Sequence, residues 1–293
     1  MISSAPKHCA CHLMAMNVTV KHSSRYSYSK PVSLQPHIIR LQPRCDGTVR
    51  LLRFETKIEP IPITLSSCLD IEGNSVLHAW FRDPTTRLSI ETSFEVETAR
   101  DNPFDYLLSA AAENLPIAYG DELKASLAGY LLRMENEGTV ADFGRSVAEA
   151  AGRRTLDFLN ALNSEIYRSC PISIRETGAP FPPAYTLAHR QGSCRDVAVL
   201  FIDACRAVGI AARFVSGYRH GSVGRQRRYM HAWAEVYLPG GGWRGYDPTH
   251  DMAVNDEYVV VAASREPFGA TPIEGGFRGT GATSSLEAHI EIH

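Results

Sequence analysis

The 293-residue sequence has few cysteines, no surplus charge of one sign and no long apolar run. Its seven cysteines are odd in number and irregularly spaced, which does not describe a disulfide framework. Thirty basic residues against 32 acidic ones leave a formal charge of −2. That balance excludes a binder working through a general basic field, so nucleic acid is not an expected partner. No uninterrupted apolar stretch approaches the ~20 residues that span a bilayer, so no membrane partner is expected. The first residues lack an apolar stretch after a basic start, so the chain is read as cytoplasmic. Internal repeats and low-complexity tracts are missing too. What is present, 44% hydrophobic and 21% charged residues, is the composition of a globular protein.

Ordered pattern begins only near Val18. Residues 1–16 are therefore read as a disordered leader, with Met14 or Met16 competing with Met1 as the start. The leader holds His8, Cys9, Cys11 and His12, all metal-ligating types. They are too crowded to close one tetrahedral site, and neither a metal nor a cofactor is expected. Residues 17–100 read as a β-rich domain. Short alternating runs such as Asn17–Lys21, His37–Leu41 and Leu88–Val96 are separated by the turn signals Asp46-Gly47 and Gly73-Asn74. Strands at such intervals predict an antiparallel sandwich or barrel. Residues 101–150 read as a connecting helical region with a short helix over Asp121–Leu127.

Residues 151–293 read as the catalytic core with the C-terminal strands. Leu156, Leu159, Leu162 and Ile166 recur three or four apart and predict a helix over Thr155–Tyr167, ended by Pro171. A second helix runs from Cys194 to Ala207, with Val197, Ala198, Phe201, Ala204, Cys205 and Val208 on its buried face. Strands follow over Ala211–Tyr218, Met230–Leu238 and Trp243–Asp247, the last two joined by the turn at Pro239–Gly242. A final strand covers Leu286–Ile292.

Three residues in this segment combine into chemistry. Ser193 is a plausible N-cap with Asp196 three residues on, the pattern of a capping box. Cys194 then sits in the first helical turn, where unpaired N–H groups and the helix dipole favour an anion. A thiolate gains from that position, and the same donors can hold an oxyanion. Taken alone, the cysteine reads first as a small buried hydrophobe that happens to start a helix. His231 opens a strand on which His231, Trp233, Glu235 and Tyr237 share one face, opposite Ala232, Ala234, Val236 and Leu238. The alanine-rich set is the core face, and the polar and aromatic set is read as a cleft wall. Asp247 ends the neighbouring antiparallel strand, where its carboxylate can meet the second imidazole nitrogen and fix the tautomer. Together the three offer a nucleophile, a base and an orienter. Gln191 and Tyr185 are close enough in sequence to Cys194 to supply a second oxyanion donor, and Trp233 is a candidate on the cleft wall. Arg225–Arg228 is a basic loop that could steer acidic substrates. Cys205, eleven residues after Cys194, is assigned to the core.

Several segments resemble the core motifs of bacterial transglutaminase-like proteins. They are Gly192–Phe201, Cys205–Tyr218, His231–Tyr237 and Gly242–Thr249, in that order. Tyr26–Ser29 and Ile39–Pro43 resemble the β-rich domain that commonly precedes this core. The resemblance implies an α+β protein. An antiparallel β-sandwich-like domain would be followed by a papain-like core, in which a cysteine-bearing helix packs on an antiparallel sheet. By motif position it implies Cys194 as nucleophile, His231 as general base and acid, and Asp247 as orienting carboxylate. It also implies attack on amide carbonyls of a peptide or protein through a thioester. Hydrolysis, as by a protease or amidase, is the first expectation. Protein-glutamine transglutaminase activity is the alternative, and an inactive peptide-binding module a further one. Ala263–Phe268 departs from the Gly-Arg-Asp-Tyr type of sequence found in many relatives and is read as lining the substrate cleft.

Overall fold

The computed structural model describes residues 15–135, 138–221 and 229–293. The leader's metal-ligating types and the basic run at 225–228 lie outside them.

The N-terminal half is built on β1 (Met16–Leu34), β2 (His37–Ile39), β3 (Val49–Glu59), β4 (Thr64–Leu69), β5 (Ser75–Trp80) and β6 (Thr85–Thr98). The helices follow as α1 (Asp121–Ser126), α2 (Ala128–Leu131), α3 (Gly138–Ala150), α4 (Thr155–Ser169), α5 (Pro183–His189) and α6 (Cys194–Ala207). The remaining strands are β7 (Ala212–Arg219), β8 (His231–Leu238), β9 (Gly242–Asp247), β10 (Met252–Ala253), β11 (Tyr258–Ser264), β12 (Ile273–Glu274), β13 (Phe277–Arg278) and β14 (Ser284–Ile292). The architecture is α+β, with a sandwich-like pair of antiparallel sheets and a helix-on-sheet core, as expected. Among the described residues no helix is long and apolar enough to cross a membrane.

One N-terminal sheet runs β13-β1-β6-β3, with β14 also on β1, and the other runs β12-β2-β5-β4. Alternation on β1 and β6 buries Val32, Leu34, Leu88 and Ile90 against Ile39 and Ala79 of the second sheet. The C-terminal strands correct the expected boundary. Residues 273–292 follow the core in sequence, but β12, β13 and β14 hydrogen-bond into the N-terminal sheets. Strand β1 is 19 residues long, and β6 pairs along one edge of it. The returning chain takes the other edge and seals Ile290 and Ile292 against Val18 and Val20. Membership in a sheet follows the open edge, whatever the distance along the chain.

The core sheet has the order β10-β9-β8-β7-β11. Against it lies α6, which spans Cys194–Ala207 as the sequence predicts. Its burial exceeds a single face, because every residue from Asp196 to Arg206 is buried. Helices α3, α4 and α5 cover the side away from the sheet. The polar residues this encloses are paired. Asp203 accepts from Arg133 at 2.5 Å and from the Met134 N–H at 2.7 Å, and Arg206 donates to the carbonyls of Leu132 and Ala212. Helix α3 approaches closely through Gly144, where a Cβ would lie 2.8 Å from the Ala204 carbonyl oxygen. The segment read as a connector thus supplies part of the helical layer.

Candidate active site

The site forms where the N-terminus of α6 meets the start of β8. Asp196, fully buried, accepts the Ser193 N–H at 2.7 Å and the Ser193 hydroxyl at 2.6 Å, which fixes the start of the helix. Its other oxygen accepts Arg175 at 2.6 Å and the Phe181 N–H at 2.7 Å. This ties the loop before α5 to the first helical turn. Cys194 is half-buried there.

Strands β7 and β8 pair His231 with Gly217, and β8 pairs with β9 through Ala234 and Tyr246. Continuing that register sets Asp247 on the same pleat face as His231 and one diagonal away. The result is a 2.7 Å hydrogen bond from His231 Nε2 to Asp247 Oδ2. Cys194 interacts with His231 as well, and His231 Nδ1 is the nitrogen that Asp247 leaves free for it.

The charges follow from these contacts. Burial alone pushes the Cys194 thiol up. The hydrogen bond and charge of His231, the Ala232 backbone N–H and the Arg195 guanidinium outweigh it, so the thiol lies below its ordinary value. Burial alone pushes the His231 imidazole down. The charge and hydrogen bond of Asp247, followed by those of Cys194, reverse this and raise it to about 10. Burial would raise the Asp247 carboxyl, yet His231 and then His250 hold it well below the usual carboxylate range. A thiol primed to ionise faces an imidazole that favours its proton and is backed by a carboxylate, and the chemistry of that set is nucleophilic attack with a proton donor at hand.

Two partners of Asp247 lack any expectation from sequence. His250 donates from Nδ1 to Oδ2 at 2.7 Å and Tyr258 donates its hydroxyl to the same oxygen at 2.8 Å, while the Thr249 N–H donates to Oδ1 at 2.9 Å. His231, Asp247 and His250 each bring a ligand-type atom within 4.8 Å of the others. Both imidazole nitrogens lie 2.7 Å from Oδ2. Ligands about 2.0–2.2 Å from one tetrahedral cation stand roughly 3.3 Å apart. The shorter spacing fits shared protons better than a metal.

Residues 142–248 match the family model of the transglutaminase-like superfamily, and residues 18–97 match that of the bacterial transglutaminase-like N-terminal region. The chain carries a transglutaminase-like core. An uncharacterized protein of Mycobacterium leprae is 28% identical over 300 residues, covering 93% of this chain and 97% of that one. A protein-glutamine gamma-glutamyltransferase of Pseudomonas aeruginosa is 34% identical over 84 residues, covering 26% of this chain and 13% of that one. The solved structure of a candidate cysteine protease from Cytophaga hutchinsonii superposes with a TM-score of 0.73 at 21% identity, covering 95% of this chain and 90% of that one. At that identity the likeness shows the fold.

Within this transglutaminase-like core, Trp233 corrects the expected cleft wall. It is fully buried among Val215, Tyr258 and Ala263, with its ring centroid 6.0 Å from that of His231. Gly217 makes the room, since a Cβ there would lie 2.6 Å from the indole. Glu235, on the same face, is buried in an ion pair with Arg213 at 2.6 Å. The alternation is as read, but this face is covered as well, because N-terminal residues pack on it. Asn74, for one, bonds both the N–H and the carbonyl of Ala263. Period-2 alternation separates two faces without saying which is open.

Gln191 and Tyr185 flank the helix start, but no hydrogen bond among the described residues joins either to Cys194. The Tyr185 ring stacks on His189 with centroids 3.8 Å apart. The Ala232 backbone N–H is instead among the groups that lower the Cys194 thiol. Ala263–Phe268 does not line the cleft. Ser264 pairs with Phe214, at the end of β7 away from Gly217 and His231. The Arg265 carbonyl accepts from Arg206 at 2.5 Å, twelve residues or about 18 Å along α6 from Cys194.

Proposed function

We propose that this protein is a cysteine-dependent acyl-transfer enzyme acting on amide bonds of a peptide or protein, with hydrolysis as its main outcome. The observation that carries the reading is the half-buried Cys194 thiol, which interacts with an imidazole that Asp247 holds. The Cys194 thiolate attacks the amide carbonyl carbon, forming a C–S bond and placing the carbonyl electron pair on oxygen. The Cys194 backbone N–H at the helix start is the first donor to that oxyanion. Collapse breaks the C–N bond while His231 Nδ1 gives its proton to the leaving nitrogen. Water then attacks the thioester and gives a proton back to His231, and the C–S bond breaks to restore the thiolate. Asp247 stays ionised throughout and holds the ring.

Transfer to an amine is the second reading. The local likeness to the Pseudomonas aeruginosa gamma-glutamyltransferase supports it. Hydrolysis is favoured because an amine needs its own acceptor site, whereas water is always in reach. A mass-shift screen of peptide pools against wild type and Cys194→Ala tests the proposal. A new amino terminus or released ammonia, lost in Cys194→Ala, supports hydrolysis. A primary amine incorporated into a glutamine-bearing peptide moves the reading to transfer. A Cys194 that iodoacetamide labels at pH 6 no faster than the exposed Cys45 and Cys68 overturns both and leaves a peptide-binding module.

A further inference from the structure

We propose that His250 is a positioning residue acting through Asp247: by drawing on the same carboxylate oxygen as His231, it limits how firmly that oxygen holds the His231 imidazolium. This rests on the reading of His231 as the proton donor to the leaving group.

The carboxylate is unevenly loaded. A carboxylate offers about four lone-pair sites, two on each oxygen. Among the described residues Oδ1 receives one donor, the Thr249 N–H at 2.9 Å. Oδ2 receives three, from His231 Nε2 at 2.7 Å, His250 Nδ1 at 2.7 Å and the Tyr258 hydroxyl at 2.8 Å. Three donors on two lone pairs must share. An ionised carboxylate only accepts, so the proton in the His250 contact sits on Nδ1. The His250 and His231 rings stand at 70° with centroids 5.1 Å apart, edge to face beside the shared oxygen. Asp247 is fully buried, and water does not compete for Oδ2.

The sharing has a chemical use. His231 must hold its proton while the thiolate waits and release it when nitrogen leaves. A donor held too firmly is a poor acid. The groups facing His231 are Cys194 from α6, Asp247 and His250 from β9 and its following turn, and Tyr258 from β11. Behind Tyr258 stands Arg219 of β7, itself paired with Glu257 at 3.2 Å. Of these, Asp247 alone holds Nε2, and His250 and Tyr258 alone draw side-chain hydrogen bonds on Oδ2.

The test is an NMR titration of ¹⁵N-histidine-labelled protein, read with Cys194 alkylation by iodoacetamide. In His250→Phe the deprotonation edge of His231 moves to higher pH, about three- to tenfold in proton affinity. His250→Asn, which returns an N–H donor, restores the wild-type edge. Alkylation at pH 6 stays within about twofold in both, because the His231 edge moves further above that pH and His250 does not touch the sulfur. An edge that stays put or falls in His250→Phe, or that His250→Asn fails to restore, overturns the inference. Should His250→Phe not fold, Tyr258→Phe removes the other shared donor, and an edge that does not rise there overturns it equally. Slow alkylation of wild-type Cys194 would instead sink the enzymatic reading itself, so the two failures are distinct.

Discussion

Cys194 and Cys205 lie on one helix, eleven residues or about 16 Å apart along its axis and on nearly the same face. Cys194 is half-buried, and its partners bring its thiol below the ordinary value. Cys205 is fully buried, and burial pushes its thiol well up against a weak opposing pull from Arg206. One residue type on one helix is poised to ionise at one end and kept neutral at the other. The difference lies in what the sheet presents. At the first turn it offers an imidazole and a free backbone N–H. At the last turns Cys205 sits in packed interior with the neutral phenols of Tyr119 and Tyr246 near it, and the Arg206 guanidinium there donates to carbonyl oxygens.

Differential alkylation is the hardest way to break this comparison. At pH 6 iodoacetamide should modify Cys194 about a thousandfold faster than Cys205, and faster than the exposed Cys45 and Cys68. Peptide mapping by mass gives the four rates in one experiment. Comparable rates at Cys194 and Cys205 would mean that the two environments do not differ in the way described.

The carboxylate behind the pair carries the next largest effect. Asp247→Asn keeps the shape, removes the charge and turns an N–H or a weaker acceptor toward three donors. Losing one partner of a buried ion pair costs about 3 kcal/mol at pH 7. The pH dependence has a definite sign. The folded-state value of Asp247 is depressed, so its contribution is present above the ordinary ~3.9 and fades only in strong acid. The folded-state value of His231 is raised to about 10, so its contribution is whole below ~6.5 and is lost as pH rises toward that value. The depressed Cys194 thiol acts in the opposite sense until the unfolded thiol ionises near ~8.5, so urea unfolding should show wild type losing stability between about pH 8.5 and 9.5 and Asp247→Asn losing less over the same range. Parallel slopes in the two proteins would remove the pair from the account.

How much of this was legible in the sequence differs by element. Helix α6 and strands β8 and β9 were readable because their periodicity, the Ser193–Asp196 cap and the Pro239–Gly242 turn are local signals. The contacts of His231 with Asp247 and Cys194 were foreseeable from the same register. His250 lay one turn beyond Asp247 in Asp-Pro-Thr-His, and its i+3 spacing was the available hint. Tyr258 carried none, since β11 reaches the site only by pairing with β7. Arg175 was equally hidden, because its tie to Asp196 depends on a loop rich in Gly and Pro. The burial of Trp233 and the return of β14 to β1 share one cause. Both depend on which surface another part of the chain covers, and periodicity does not report that.

His231→Ala asks whether the imidazole or the helix start lowers the Cys194 thiol. The hydrogen bond and charge of His231 come ahead of the Ala232 N–H and Arg195 among the influences that lower it. Without them burial prevails, and alkylation of Cys194 at pH 6 should fall by at least about tenfold, with the acid edge of its pH profile moving up. A profile unchanged in this variant would assign the effect to the helix N-terminus alone.

The smallest effect sharpens the other side of the comparison. Cys205→Ala removes one sulfur from a packed interior and leaves a small cavity, which should cost about 1 kcal/mol of stability. The alkylation rate of Cys194 should stay within about twofold, because no hydrogen bond or ion pair among the described residues links the two ends of α6. Thermal unfolding and alkylation of the same preparation read both quantities. If the rate at Cys194 fell together with stability, the first turn of the helix would depend on packing at its far end. The two cysteines would then report a single mechanical unit, and the contrast between them could no longer be assigned to local contacts alone.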